Sequence, residues 1–111
     1  MIAAQNHLIQ RLPRRDRTRL LALCEPVQLV LSQVLGEPDT PTTHAYFPND
    51  GFISLVSQVD EHPGLEVGMV GREGMAGAHL VLGEAVSPLR VLVQGPGQAL
   101  RVPAQAFMEE L

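Results

Sequence analysis

Apolar and polar positions along the chain follow two periods, and the change between them falls near Glu25. Before it the pattern is helical. Residues 3–11 read as a short helix, with Leu8 and Ile9 flanked by polar groups and Leu12-Pro13 closing it. Pro13 fits the first turn of a second helix, PRRDRTRLLALC, whose apolar side carries Leu20, Leu21 and Leu23. After Glu25 the segments VQLVL, THAYF, GFISLVSQV, LEVGMV, LRVLVQ and ALRVP are short, rich in Val, Leu and aromatics, and predict strands. Gly36-Glu37-Pro38-Asp39, Pro48-Asn49-Asp50-Gly51, His62-Pro63-Gly64 and Gly95-Pro96-Gly97 punctuate them. PNDG and QGPGQ predict hairpin connections, because Gly supplies positive φ at no steric cost. Closely spaced strands with no helix between them predict an antiparallel sandwich or barrel. The final PAQAFMEEL reads as a helix opened by Pro103, with Phe107 and Leu111 on one face. One domain is expected, with a helical lead-in over 1–24, a β-roll over 25–102 and the start of a helix over 103–111.

Composition narrows the class. The chain has 111 residues, 45% apolar and 18% charged, which suits a folded globular domain. The longest apolar runs are only a few residues, as in Gly51–Val56 broken by Ser54, so no membrane helix is expected. The opening MIAAQNHLIQRLPRR does not have the order of a signal peptide, and a cytoplasmic protein is the simplest expectation. Cys24 is the single cysteine, expected to be an inert core residue. The net charge is −4, and the eight basic residues are all Arg, five of them between Arg11 and Arg19. Arg14, Arg15, Arg17 and Arg19 spread around the second helix and read as a solvated face, and the rest of the chain is acidic. A nucleic-acid binder usually shows a basic face, which this chain lacks over most of its length.

Three stretches together carry a resemblance: HAYFPNDGFISLV (His44–Val56), EVGMVGREGMAGAHLVLG (Glu66–Gly83) and VLVQGPGQALRVPAQAF (Val91–Phe107). In their order and spacing the sequence resembles the N-terminal sensor domain of Crp/Fnr-type bacterial transcription regulators. The resemblance implies the cyclic-nucleotide-binding fold, mainly β with flanking helices, an antiparallel β-roll or jelly-roll barrel (a double-stranded β-helix). It also implies a homodimeric full-length protein that reaches DNA only through a dimerisation helix and a helix-turn-helix domain beyond this chain. A small-molecule effector is the expected partner.

In relatives that bind cyclic AMP or GMP, a phosphate-binding cassette uses a Gly-Glu pair for the ribose hydroxyl and a downstream Arg-Ser for the phosphate. By resemblance the cassette here comprises Gly74, Met75, Ala76 and Gly77, with Ser87 and Pro88 at the Arg-Ser position. Met therefore stands for the acid, Ser for the Arg, and Pro for the hydroxyl residue. A buried phosphate is costly without a paired cation, so a degenerate pocket and no cofactor are expected. Arg72 and Arg90 could supply the charge if the alignment slips by a few residues, although Arg90 is opposite in strand parity to Leu89, Val91 and Val93. A different, apolar effector would suit Met75, Leu80 and Leu82 as lining. Gly71, Gly74 and Gly77 also have a purely structural reading, as positions of positive φ or close backbone approach. Arg72-Glu73 reads as a surface turn pair.

Other classes remain open alternatives: a genuine cAMP or cGMP domain, a ligand-free dimerisation or interaction module, and a cupin-like metalloprotein. The last would need two histidines on neighbouring strands, and only His44 and His79 offer that; no metal site is expected. Nothing singles out a haem ligand. The chain has no G-x-S-x-G elbow and no arguable Cys/His pair, so an enzyme is not expected. Asp39-Thr40 replaces the Gly-Glu or Gly-Asp of the relatives' first turn, where Asp tolerates the left-handed backbone better than most residues.

Overall fold

The computed structural model describes residues 5–58 and 64–111. His62, the His62-Pro63-Gly64 turn up to Gly64, and the end of GFISLVSQV lie outside the described residues. The lead-in forms two helices, α1 (His7–Gln10) and α2 (Arg14–Leu23). The first begins later than residue 3, because Asn6 is extended (φ −71°, ψ 127°) and caps it through its side chain. Pro13 stands as the N-cap of α2. Leu20 is buried, and Leu21 and Leu23 pack beside it, while Arg11, Arg14, Arg15 and Arg19 are exposed.

Seven strands follow: β1 (Glu25–Leu29), β2 (Val34–Gly36), β3 (His44–Pro48), β4 (Phe52–Ser57), β5 (Leu65–Val70), β6 (Leu89–Gly95) and β7 (Gly97–Pro103). They make two antiparallel sheets, one ordered β1-β7-β3 and the other β2-β6-β4-β5. The first strand ends two residues earlier than VQLVL suggests. Its register with β7 stops at Leu29↔Gly97, and Val30 and Leu31 enter an exposed turn that Ser32 completes at φ 69°. The three-residue β2 carries no sequence signal of its own and pairs with β6 across an irregularity.

PNDG and QGPGQ are not hairpins. The first joins β3 to β4 and the second joins β6 to β7, and in both cases the chain leaves one sheet for the other. The two corners pack on each other. The backbone N–H groups of Asn49 and Asp50 donate to the Gln98 carbonyl, and a Cβ on Gly51 would clash with the Gly95 carbonyl. Glycine is needed there for close approach as well as for its φ of 75°.

Alternation along β3 and β7 builds two cores from one sheet. Ala45, Phe47, Leu100 and Val102 face the helices and pack with Ile9, Leu20, Leu80 and Phe107. Tyr46 and Ala99 face the second sheet and pack with Leu29, Ile53, Ala76 and Val93. Cys24 lies in the helical core, where burial pushes its thiol up to about 11. The last helix, α3 (Ala104–Glu110), starts after Pro103 and buries Phe107, which meets Phe47 edge to face at 6.1 Å. Leu111 is exposed and does not share that burial. No helix among the described residues is long and apolar enough to cross a membrane.

Candidate functional site

Between the second sheet and the segment that follows β5 lies a cavity of about 240 Å³. That segment runs from the glycine-rich turn into a 3₁₀ turn, Ala78–Leu82, and then a loop to β6. Its placement follows from a few bonds. Ala76 and Tyr46 exchange backbone hydrogen bonds of 2.9 Å, which fixes the turn against β3. The Asp39 and Thr42 N–H groups donate to the Ser87 and Ala85 carbonyls, each at 2.9 Å, which ties the β2–β3 loop to the β6 approach. Asp39 takes φ 59°, the left-handed conformation expected at the first turn.

Asn6 carries the anchoring role that the sequence reading missed. It is fully buried, and its Nδ2 donates to the carbonyls of Pro48 (2.8 Å) and Gly74 (2.9 Å). Its Oδ1 accepts from the Leu8 and Ile9 N–H groups at 3.0 and 3.2 Å. The His7 N–H adds a bond to the Arg72 carbonyl at 2.7 Å. The available signal was an Asn directly ahead of His-Leu-Ile, which is a helix-cap pattern.

The cassette residues divide. Ala76, Gly77 and Ser87 line the cavity, whereas Gly74, Met75 and Pro88 do not. Met75 turns to the opposite side and packs on the helical core. Leu80 is buried in that same core and Leu82 is 82% exposed, so none of these three forms an apolar cavity wall. The apolar lining comes instead from Val34, Leu35, Leu89 and Val91. Of the three glycines in the turn, only Gly77 has positive φ, at 104°. A Cβ there would also meet Ala45 Cα at 3.2 Å, so Gly77 carries the close approach to β3.

The charged groups lie around the cavity, not in its lining, apart from Glu37. Arg72 is exposed on the turn. Backbone N–H groups hold the Glu73 carboxylate below its ordinary range, first its own and then that of Gly71, which donates to it at 3.0 Å. Arg90 points away from Leu89 and Val91, as strand parity requires, and pairs with Glu37 at 3.3 Å. Arg101 pairs with Glu25 at 2.6 Å, and Glu25 first and Tyr46 second hold its charge in place.

His44 and His79 both line the cavity, but not on neighbouring strands, since His79 sits on the 3₁₀ turn. His79 Nε2 and Thr42 Oγ1 share a hydrogen bond of 2.6 Å, and His44 Nδ1 lies 3.0 Å from Thr43 Oγ1. Desolvation lowers both imidazoles; Arg101 lowers His44 further, while Glu84 partly opposes the shift at His79. Among the described residues no group of three His, Cys, Asp or Glu side chains is placed to hold a metal ion.

No protein-family model matches the chain, and no curated protein matches it in sequence. Solved structures do match in fold. The regulatory subunit of a cAMP-independent protein kinase A from Trypanosoma brucei superposes with TM-score 0.80 at 11% identity, covering 96% of this chain. The sensor domain of the transcriptional regulator DNR from Pseudomonas aeruginosa gives TM-score 0.75 at 17% identity over 94% of this chain. The N-terminal domain of a transcriptional regulator from Streptomyces coelicolor gives 0.75 at 16% identity over 97%. This chain spans 39% of the trypanosomal subunit, 70% of the Pseudomonas domain and 76% of the Streptomyces domain. The chain has the cyclic-nucleotide-binding β-roll fold that it shares with these regulatory and sensor domains.

Proposed function

We propose that this chain is the effector-sensing domain of a Crp/Fnr-like transcription regulator, with a pocket that has lost the groups for a cyclic nucleotide. One observation carries the reading. On the 3₁₀ turn, His79 lines the cavity while its neighbour Leu80 is 1% exposed in the helical core beside Phe107. A ligand that moves the turn therefore moves a residue packed against α3, the last helix described. Differential affinity for two positions of that turn would bias the helix and whatever follows it. The domain acts by binding, without catalysis, and DNA is a partner only through a further domain.

The degenerate pocket rests on side-chain chemistry. Ser87, which the resemblance aligns with the cassette's Arg, lines the cavity, and no Arg is among the lining residues. Titration calorimetry with cyclic AMP, cyclic GMP and cyclic di-GMP is expected to give no saturable heat. Low-micromolar binding of either mononucleotide would restore the genuine cyclic-nucleotide reading. The regulator assignment is checked separately, on the gene beyond the Leu111 codon. A long apolar-heptad helix followed by a basic helix-turn-helix is expected, and an unrelated domain there would overturn it.

A further inference from the structure

The cavity's charge balance can be drawn among the described residues, which include all eight arginines of a chain without lysine. Arg11, Arg14, Arg15, Arg17 and Arg19 belong to the helical lead-in, and Arg17 donates to the Gln10 carbonyl at 3.3 Å. Arg72 is exposed, and Arg90 and Arg101 already hold Glu37 and Glu25. The two imidazoles in the lining are shifted toward their neutral forms. Among the described residues Glu37 is the only carboxylate in the lining and no Arg is in it, so the wall presents no guanidinium to neutralise an anion.

Size and polarity restrict the occupant further. The cavity's roughly 240 Å³ falls below the roughly 300–1,000 Å³ of sites for drug-sized ligands, so it suits something smaller than a nucleotide. Its walls are unlike. One is aliphatic, with Val34, Leu35, Leu89 and Val91; the other presents hydroxyl and imidazole groups from Thr42, Thr43, His44, His79 and Ser87. We infer that the cavity takes a small uncharged amphipathic molecule, with a short apolar body against β2 and β6 and a hydroxyl or carbonyl head at the Thr42–His79 pair. The pair is suited to such a head. With the His79 Nε2–H donating to Thr42 Oγ1, the Thr42 hydroxyl keeps a donor and a lone pair for the head, and a neutral head leaves no buried charge. This deepens the sensing reading and rests on it for the cavity's being an effector site.

The test is residue-resolved NMR titration of the 111-residue protein with a charge series on one tail: 1-hexanol, hexanoate and hexylammonium. Saturable shifts at Thr42, His79, Leu89 and Val91 are expected with hexanol, and binding at least about tenfold weaker with hexanoate, because the anion finds no partner. Thr42→Val keeps the shape and removes the hydroxyl, and should weaken hexanol about three- to tenfold. If the variant misfolds, the charge series on the wild-type protein still decides. Shifts confined to residues of the helical core such as Leu12 and Phe107 would overturn the inference, as would hexanoate or hexylammonium binding as well as hexanol, or no saturable shift. The outcome is separable from the sensing reading. Hexanol binding in a protein whose gene encodes no DNA-binding part sinks the regulator assignment alone, whereas no binding beside an intact helix-turn-helix sinks this inference alone.

Discussion

At the scale of single residues, the glycine-rich turn is held by partners that lie far from it in sequence. Asn6 bonds Gly74 and Pro48 with one end of its amide and the α1 backbone with the other. Replacing it with Ala removes a helix cap and leaves buried carbonyls unpaired, at a cost of about 2–4 kcal/mol. Urea denaturation should show the loss as a lower midpoint, and an unchanged midpoint would mean that water replaces the amide. Gly77 and Gly74 make a paired comparison. Gly77→Ala meets both the φ of 104° and Ala45 at 3.2 Å, and should cost about 1–3 kcal/mol. Gly74 has no positive φ, and its added Cβ would lie 3.7 Å from Val70, an ordinary contact, so Gly74→Ala should leave the thermal midpoint nearly unchanged.

Among the elements, the loop that carries Thr42 meets the turn that carries His79 through the bond between those two side chains, while its backbone ties run to Ala85 and Ser87 beyond the turn. Desolvation lowers His79 and His44 from their ordinary 6.5, so the unfolded chain binds protons more readily than the folded one. Stability from these groups is present above pH 6.5 and is lost as the pH falls through their lowered values. Thermal midpoints measured downward from neutral pH should decline, and His79→Gln should flatten part of that decline. An identical slope in the variant would assign the effect elsewhere. Much of this level was legible in the sequence. Strand segments declared themselves by Val, Leu and aromatic content between turn residues, and Asp39 declared its left-handed turn. Sheet membership did not, because Pro-Asn-Asp-Gly and Gly-Pro-Gly serve a corner between sheets with the same residues as a hairpin. Neither did the facing of the cassette. It leaves β5 as irregular backbone, so no period says that Met75 turns to the helices while Ala76 and Gly77 face the cavity. Asn6 escaped for a related reason, since a cap signal says where a helix starts and nothing about distant carbonyls.

For the whole molecule, the arrangement of the cores sets how it should unfold. The β1-β7-β3 sheet is a shared wall: Phe47, Leu100 and Val102 face the helices, while Tyr46 and Ala99 on the same strands face the second sheet. Neither core can be lost without exposing strands that the other requires. Local damage in the helical core should therefore lower the stability of the entire domain and not release the helices as a separate unit. Phe107 is the side chain on which to test this, being 6% exposed and in edge-to-face contact with Phe47. Phe107→Ala is expected to cost about 3–5 kcal/mol. Unfolding followed by far-ultraviolet dichroism and by Tyr46 fluorescence should stay coincident, because Tyr46 reports the inter-sheet core and the mutation lies in the other. An early helical transition with Tyr46 still at its native signal would show that the two cores melt independently. It would also remove the mechanical link from the cavity to α3 on which the proposed sensing rests.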